Sequence, residues 1–319
     1  MNSRKKLLGL AAAASLMMGG LGASSSFAQS SDGSDDTFVD QMPFQMDLQM
    51  STRTSRWMRL DSPLPAGSVL PNYAVVSVGP NSSIMVNSGP ITGNVLLGDG
   101  TTSSSSGGNN GRVTGRVDVS PTVSGDNLAH IQNAPMTAQV ASSVGVQAFN
   151  DAVSLSNAAS ALSPTQTFGN VTGALTITGN GGLNVIDINS LSNPDLTITG
   201  GPNDNFVFNI SGNFATNHVM VLNGVSASQI LWNMTGASGN IFQTSGGDLL
   251  YGTFLATHGG DFQFSNLRLT GQLINTDGHM QIVSGSQVTV PEPSVIGLIV
   301  AGAAALARFG RIRSAGSRR

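Results

Sequence analysis

The chain has 319 residues, of which only 10% are charged, whereas ordinary soluble domains carry about 25% charged residues. Glycine is frequent, at 40 residues, and the mean hydropathy is close to zero, at +0.09. This composition excludes a multispan membrane protein and an acidic disordered chain. Cysteine is absent, which excludes disulfides, zinc–thiolate sites and thiol nucleophiles.

The basic residues are concentrated at the two ends of the chain. Residues 29–290 contain six Arg and sixteen Asp, and they contain neither Lys nor Glu. An acidic segment of this kind cannot displace many counterions from phosphates, so we expect no nucleic-acid binding. A glycosidase with paired carboxylates would have to use Asp alone.

The first 28 residues have the three parts of a secretory signal peptide. A basic start at residues 4–6 precedes an apolar stretch at residues 7–18, and small residues lead up to Ala28. We therefore predict an N-terminal signal helix, export through the Sec translocon and cleavage between Ala28 and Gln29. Residues 29–68 are acidic at first and then rich in Met and Arg, and we expect them to form a flexible extension.

Alternation of apolar and polar residues begins at Val69 and predicts short β-strands as far as residue 119. The period then changes. Between residues 135 and 162 apolar residues recur every three or four positions, which predicts one α-helix that ends before Ser163-Pro164.

A five-residue segment that follows the predicted helix is repeated in the sequence. Leu175-Thr176-Ile177-Thr178-Gly179 returns unchanged 21 residues later as residues 196–200, and looser echoes occur at 206–212, 230–236, 251–257 and 269–275. Short strands that end in Gly, Asn or Asp turns at this period indicate a β-solenoid, in which the coils must stack to bury their apolar sides. We predict a right-handed β-solenoid over residues 69–290, with the helix packed along it because 28 helical residues and seven or eight coils have similar lengths.

The last 29 residues have three parts in a fixed order. Pro291-Glu292-Pro293-Ser294 precedes an apolar segment at residues 295–307 and then an arginine cluster that contains Arg308, Arg311 and Arg313. The segment is shorter than the about 20 residues of a comfortable membrane span, so we expect a short transmembrane-like helix with its arginines in the cytoplasm. The arrangement resembles the PEP-CTERM sorting signal. That resemblance implies recognition by an exosortase-type transpeptidase, transient anchoring in the inner membrane, and delivery to the cell envelope, cell surface or extracellular matrix.

The segments at 204–210, 221–224, 229–233 and 249–256 resemble two related groups of secreted domains, the choice-of-anchor A domain and the ice-binding-like solenoid domain. Both resemblances imply a β-solenoid. The ice-binding-like group also implies a lengthwise helix inserted between early and late coils. The quoted motifs are packing motifs, so they imply the fold far more than the function.

Four threonines form the most regular surface pattern. Residues i and i+2 of a strand share a face, so the repeat should stack Thr176 and Thr178 against Thr197 and Thr199. This small grid of hydroxyl and methyl groups predicts a flat binding face, although threonine also occupies exposed strand positions through β-propensity alone. We expect the later coils to present an irregular face instead, with Asn209, Ser211, Asn233, Thr235 and Thr257.

Two further clusters have a weaker case. His258 and His279 are 21 residues apart and lie near Asp261 and Asp277, which would suit a metal or proton-transfer site if stacking joined them. Asn and Asp residues that could bind Ca²⁺ through oxygen atoms occur at positions 187, 189, 193 and 195 and again at 203–205. Polar turns explain both clusters more simply, and we expect no metal ion, no cofactor and no catalytic residue.

Three functions compete on this evidence. We expect a non-catalytic exported surface or matrix protein that is adhesive and associated with exopolysaccharide. The first alternative is an ice-binding protein that uses a threonine-rich solenoid face. The second alternative is a solenoid enzyme that degrades polysaccharide, but few arginines in the strands are available as a base or charge clamp.

Overall fold

The computed structural model describes residues 67–87, 89–104, 112–124, 136–237, 239–283 and 285–290. The predicted signal peptide, residues 29–66 of the predicted extension and the predicted sorting tail lie outside these ranges. Within the ranges, no helix is both long and apolar enough to cross a membrane.

Strands dominate the described residues, with one α-helix and two short 3₁₀ helices. The α-helix, α1, covers Ser142–Ser160, and the 3₁₀ helices cover Leu70–Asn72 and Ala227–Gln229. In chain order the strands are β1 (Val75–Val78), β2 (Ser83–Val86), β3 (Pro90–Thr92), β4 (Val95–Leu97), β5 (Thr102–Ser104), β6 (Arg112–Val113), β7 (Arg116–Val119), β8 (Met136–Gln139), β9 (Gln166–Val171), β10 (Leu175–Thr178), β11 (Leu183–Ser192), β12 (Leu196–Thr199), β13 (Asn205–Ile210), β14 (Phe214–Thr216), β15 (Val221–Asn223), β16 (Ile230–Met234), β17 (Asn240–Thr244), β18 (Leu249–Ala256), β19 (Asp261–Ser265), β20 (Arg268–Thr276), β21 (His279–Val283) and β22 (Gln287–Thr289).

The strands stack in parallel and hydrogen-bond as one sheet of 19 strands and one of three strands. They lie on three faces of the coil, each of which is called a sheet, and the long strands β11, β18 and β20 contribute to two faces. The helix sheet has the order β9-β11-β13-β16-β18-β20-β1-β4-β7-β8. The glutamine sheet has the order β11-β14-β17-β19-β21-β2-β5. The threonine sheet contains β10-β12-β15 and, after a bridge between Val219 and Leu249, β18-β20-β22-β3-β6. Parallel coils of this kind confirm the predicted mainly-β stacked fold, and the right-handed sense of the coil stays a prediction.

The order of coils in the stack differs from their order in the sequence. Strand β1 lies between β20 and β4, so the last coil of the domain packs directly on the first. From β1 the chain proceeds coil by coil to β8 at one end of the stack, and α1 then leads to β9 at the other end. The later coils return from β9 to the starting point. The early coils and the late coils therefore meet in the middle of the stack, through contacts between residues about 200 positions apart.

The interior is apolar and is richest in aromatic rings near the middle coils. Register places Phe208, Trp232 and Phe254 next to one another on β13, β16 and β18. Phe208 and Trp232 stack with ring centroids 4.0 Å apart, and Phe242 stacks on Phe254 at 4.2 Å. These side chains are fully buried. Because each ring contacts rings of the neighbouring coils, aromatic packing links successive coils as well as filling them.

Helix α1 covers the outer side of the helix sheet and creates a second apolar layer. Its buried face presents Ala148, Ala152, Leu155 and Ala159. These residues pack on outward-pointing residues of neighbouring strands, namely Val76, Val207, Leu231, Leu255 and Ile274. The strands of this sheet are consequently apolar on both sides, as in β1, where all four residues are buried. The predicted lengthwise position of the helix is confirmed.

The predicted bounds of the helix, residues 135–162, are too wide at the N-terminal side. Met136–Gln139 form strand β8, which pairs with β7 along four residues. The exposed edge of β7 offers unpaired backbone groups, and pairing with them satisfies this segment better than an additional helical turn without tertiary contacts. The 19 residues of α1 span about 28 Å at 1.5 Å per residue.

Close approach between coils requires glycine at one pair of stacked positions. Gly252 and Gly271 are register partners in β18 and β20, with φ values of 113° and 157°. A Cβ atom on Gly271 would lie 1.8 Å from the carbonyl oxygen of Gly252. A side chain at position 271 is therefore incompatible with the stacking of these two coils.

Candidate functional site

The two Leu-Thr-Ile-Thr segments form β10 and β12, which pair in register over all four residues. Leu175, Ile177, Leu196 and Ile198 point into the core and are buried. Thr176 lies beside Thr197, and Thr178 lies beside Thr199, on the outer side. The 21-residue repeat is thus one coil of the stack, and the predicted grid of four threonines exists as a geometric feature.

A third strand extends this grid. Val221 of β15 is the register partner of Thr197, and Asn223 is the partner of Thr199. Val219 lies two residues before Val221 and therefore on the same side of the chain. Val219 is 50% exposed and Val221 is 45% exposed, which makes them two of the three large exposed apolar residues among those described. We call the outer side of β10, β12 and β15, including Val219, the threonine face.

The three strands of the face are in register and carry no charged residue, while the exposed Asp195, two residues before Thr197, adjoins the face beside Val219. The strands are about 4.8 Å apart, and alternate residues along a strand are separated by about 6.7 Å. Threonine and valine have the same branched shape, so Val221 continues the column of methyl groups that Thr176 and Thr197 begin. No charged residue occurs in β10, β12 or β15. The carboxylate of Asp195 contacts Nδ1 of the His218 imidazole, with 2.5 Å between the two atoms.

The turns next to the face are held by a buried carboxylate. Asp204 accepts hydrogen bonds from the backbone N–H of Gly181 at 2.7 Å and of Gly201 at 2.8 Å, and from the amide of Asn184 at 3.1 Å. Burial tends to raise the pKa of Asp204, but these hydrogen bonds together lower the pKa below its usual value. Asp204 is therefore a structural anion that fixes the turns after β10 and β12, and we assign it no ligand.

A second column of threonines lies on the same sheet, beyond β18. Thr270 pairs with Thr289, and Thr289 pairs with Thr92. Sequence reasoning missed this column because its members come from both ends of the domain. Only the packing of the last coil on the first brings them together.

The expectation that later coils present Asn209 and Asn233 on the same face is wrong. Both residues belong to the helix sheet, where Asn233 is fully buried beneath α1. The segments after residue 205 repeat the apolar pattern of the Leu-Thr-Ile-Thr units, but they occupy a different side of the coil. Ser211 and Thr235 follow β13 and β16 directly and lie at the adjacent corner.

The other candidate residues do not form a joint site. The imidazole of His279 contacts the hydroxyl of Ser83 at 2.7 Å, and that of His258 contacts its neighbour Thr257 at 3.1 Å. Asp261 accepts from the backbone of His279 and Asp277 from the backbone of Asn81. In the described ranges, no three His, Cys, Asp or Glu side chains come together as a metal site.

The Asp and Asn positions considered for Ca²⁺ also separate. Asp187 contacts Asn209, Asn189 contacts Ser211, and Asp195 contacts His218. Asn193 has a left-handed backbone, with φ of 51°, as expected of a turn residue. The sorting-motif residues and the signal cleavage site lie outside the described ranges.

The fold and the exposed face define a class of protein, a parallel β-solenoid with a lengthwise helix and a registered array of Thr and Val side chains on an outer face. A family profile described as an ice-binding-like adhesive domain matches residues 58–303. The chain belongs to this family. No curated protein matches it in sequence.

Solved structures with similar folds include an ice-binding protein from the Antarctic ascomycete Antarctomyces psychrotrophicus. It is 18% identical, with a TM-score of 0.50, and the match covers 72% of this chain and 98% of that chain. A glycosylated ice-binding protein from an Arctic yeast is 15% identical, with a TM-score of 0.49, over 72% and 94% of the two chains. An ice-binding protein from an Antarctic biological consortium is 18% identical, with a TM-score of 0.47, over 72% and 92%. The first likeness shows the fold alone.

Proposed function

We propose that the protein is a non-catalytic, exported surface or matrix protein that adheres to a neutral exopolysaccharide through the threonine face. The observation that carries this proposal is the registered array of Thr and Val side chains on β10, β12 and β15. Membership of an ice-binding-like adhesive domain family supports adhesion as the general role.

The chemistry of the face suits a neutral polymer. Hydroxyl groups of threonine donate and accept hydrogen bonds, and the intervening methyl groups pack against the C–H surface of sugar rings. Branched side chains have few rotamers, so little conformational entropy is lost when a ligand orders them. Because β10, β12 and β15 carry no charged residue, we expect added salt to weaken binding only slightly.

Export and sorting rest on the sequence signals. The signal peptide supports secretion through the Sec translocon, and the Pro-Glu-Pro tail supports processing by an exosortase-type transpeptidase. Under this proposal the protein is held briefly at the inner membrane and then displayed at the cell surface or in the matrix. Deleting residues 291–319 should release the protein into the medium, and unchanged retention at the surface would contradict the sorting assignment.

A co-sedimentation experiment with exopolysaccharide from the producing cells tests adhesion. Thr197→Tyr places a bulky ring in the centre of the face and should abolish co-sedimentation. Ser192→Tyr is the matched control, since Ser192 is exposed at the end of β11 in the same coil but on the glutamine sheet. Equal loss in both variants, or in neither, would refute the threonine face as the binding surface. Release of soluble sugar from the polymer would refute the non-catalytic assignment.

Ice binding is the second candidate, and the same registered array favours it, since a flat face with regular spacing is what an ice surface requires. The structural neighbours named above are ice-binding proteins, and we propose this activity here only as the alternative. Thermal hysteresis of the purified protein, lost on Thr176→Tyr with Thr197→Tyr, would place ice binding first. Absence of hysteresis in the unmodified protein would exclude it.

A further inference from the structure

We infer that a polar depression at the C-terminal end of α1 binds a single neutral sugar unit, and this inference rests on the proposed function of polysaccharide adhesion. The depression has a volume of about 460 Å³, within the range of about 300–1,000 Å³ that is usual for small-molecule sites. It is separate from the threonine face, because it opens where α1 ends over the helix sheet and the corner next to it.

Two columns of stacked polar residues line the depression. Register places Thr167 beside Asp187 and Asp187 beside Asn209. The second column contains Gly169, Asn189, Ser211 and Thr235. Ser160 of α1 also lines the depression, and so does Phe168, whose ring packs against the core. A lining of hydroxyl, amide and carboxylate groups suits a polyhydroxylated compound better than an apolar ligand.

The side chains offer complementary hydrogen-bonding atoms that the protein itself leaves free. Asp187 accepts from Asn209 through Oδ1, at 3.1 Å, and its Oδ2 accepts no hydrogen bond within the described part of the chain. Asn189 accepts from Ser211 through Oδ1, at 3.0 Å, and its Nδ2 donates to no described group. A sugar hydroxyl both donates and accepts, so it can donate to Oδ2 of Asp187 and accept from Nδ2 of Asn189.

The local charge selects against acidic sugars. Among the described residues Arg116 pairs with Asp118 and His218 contacts Asp195, so Asp187 pairs with neither of these basic side chains. The C-terminal end of α1 adds partial negative charge from its last carbonyl groups. Uronic acids and sulfated sugars would therefore be repelled, whereas neutral hydroxyl donors would be attracted to the carboxylate.

One lining position of the depression, Gly169, can take a larger side chain without disturbing the fold. A Cβ atom added to Gly169 would meet no atom within 4 Å, and its backbone is not in the left-handed region. Gly173 has the same properties and is exposed beyond the end of β9, away from the lining residues. Gly169→Leu therefore fills the depression, and Gly173→Leu is its matched control.

The test is titration of the full-length chain with neutral glucose and mannose oligosaccharides and with the matching uronic-acid oligosaccharides, followed by calorimetry. We expect a neutral oligosaccharide to bind and the uronic acids not to bind. Gly169→Leu should abolish binding, and Gly173→Leu should leave it unchanged. Asp187→Asn should weaken binding at least about tenfold, the loss expected for a hydrogen bond to a charged acceptor.

The outcomes separate this inference from the proposed function. If no neutral oligosaccharide binds, or if Gly169→Leu binds as well as the unmodified chain, the depression is not a sugar site. Co-sedimentation with the polymer that still depends on Thr197 would then leave adhesion by the threonine face intact. If oligosaccharides bind at the depression but co-sedimentation is insensitive to Thr197→Tyr, the sugar site stands and the threonine face fails.

Discussion

Replacing Asn233 by alanine tests how α1 is fixed to the stack. Asn233 is fully buried, and its amide donates towards the carbonyl of Ser156, the hydroxyl of Ser160 and Oδ1 of Asn209, at 3.2, 2.9 and 2.8 Å. The hydroxyl of Ser156 donates in return to Oδ1 of Asn233, at 2.7 Å. One side chain therefore joins the last turns of the helix to two neighbouring strands.

The size of the stability loss follows from the groups that Asn233→Ala would leave without a hydrogen-bond partner. The hydroxyl of Ser156, which is fully buried, loses its acceptor, and a buried group without a partner costs about 1–3 kcal/mol. Oδ1 of Asn209 loses its donor too, but Asn209 is only partly buried and so adds less. A loss of about 3 kcal/mol in the free energy of unfolding is the expected result. For a domain of this size that loss lowers Tm by about 6–12 °C.

Differential scanning calorimetry measures this effect, with Asn223→Ala as the control. Asn223 is exposed on β15, and its amide donates to Thr199 at only 3.4 Å. The control should change Tm by no more than about 2 °C, because exposed substitutions usually fall within about 0.5 kcal/mol. Equal Tm values for Asn233→Ala and Asn223→Ala would refute the role of the amide in holding the helix.

Three other substitutions test the packing and the turns. Ala152→Leu inserts three carbon atoms beneath α1 and should cost about 1–3 kcal/mol in unfolding free energy by calorimetry, whereas Ala158→Leu on the exposed side should be neutral. Gly271→Ala should prevent cooperative unfolding in the same assay, whereas Gly173→Ala should not, and a normal transition for Gly271→Ala would contradict the close approach of β18 and β20. Asp204→Asn should lower Tm at neutral pH, because both carboxylate oxygens accept hydrogen bonds and an amide can replace only one of them. The pKa of Asp204 is lowered in the fold, so its stabilisation is present above about pH 4 and is lost as the pH falls through the folded pKa; a Tm difference that persists in acid would contradict this.

Local patterns in the sequence predicted the local parts of the fold. The repeated Leu-Thr-Ile-Thr segment predicted two stacked strands, and the register of Leu175 with Leu196 confirms them. The change of apolar period predicted α1 and its lengthwise position, since a single apolar stripe must be buried against something. In each case the signal lies within one or two adjacent coils.

The order of the coils could not be predicted in this way. The pairing of β20 with β1 joins residues such as Leu273 and Val75, and no short-range period records it. The side of the coil on which a segment lies also depends on turn lengths. For this reason the sequence repeat at residues 206–212 suggested that Asn209 shares a face with the threonines, whereas Asn209 lies on the helix sheet. The second column of threonines escaped prediction for the same reason.

The sequence indicated single polar residues of the depression but not the depression itself. Proximity along the chain suggests Asp187 and Asn189 as Ca²⁺ ligands together with Asn193 and Asp195. The structure instead groups Asp187 with Thr167 and Asn209 from adjacent coils. Stacking across coils, rather than proximity along the chain, decides which polar side chains share a site.

Hydroxyl-radical footprinting of the full-length chain, with and without its exopolysaccharide, tests the central claim most directly. Val219, Val221 and Val146 are the large exposed apolar residues of the described ranges, and all three should be labelled in the free protein. Val146 lies on α1, away from the threonine face, and serves as the internal control. We predict that the polymer protects Val219 and Val221 from labelling and leaves Val146 unprotected. Protection of Val146 with continued labelling of Val219 and Val221 would contradict adhesion through the threonine face.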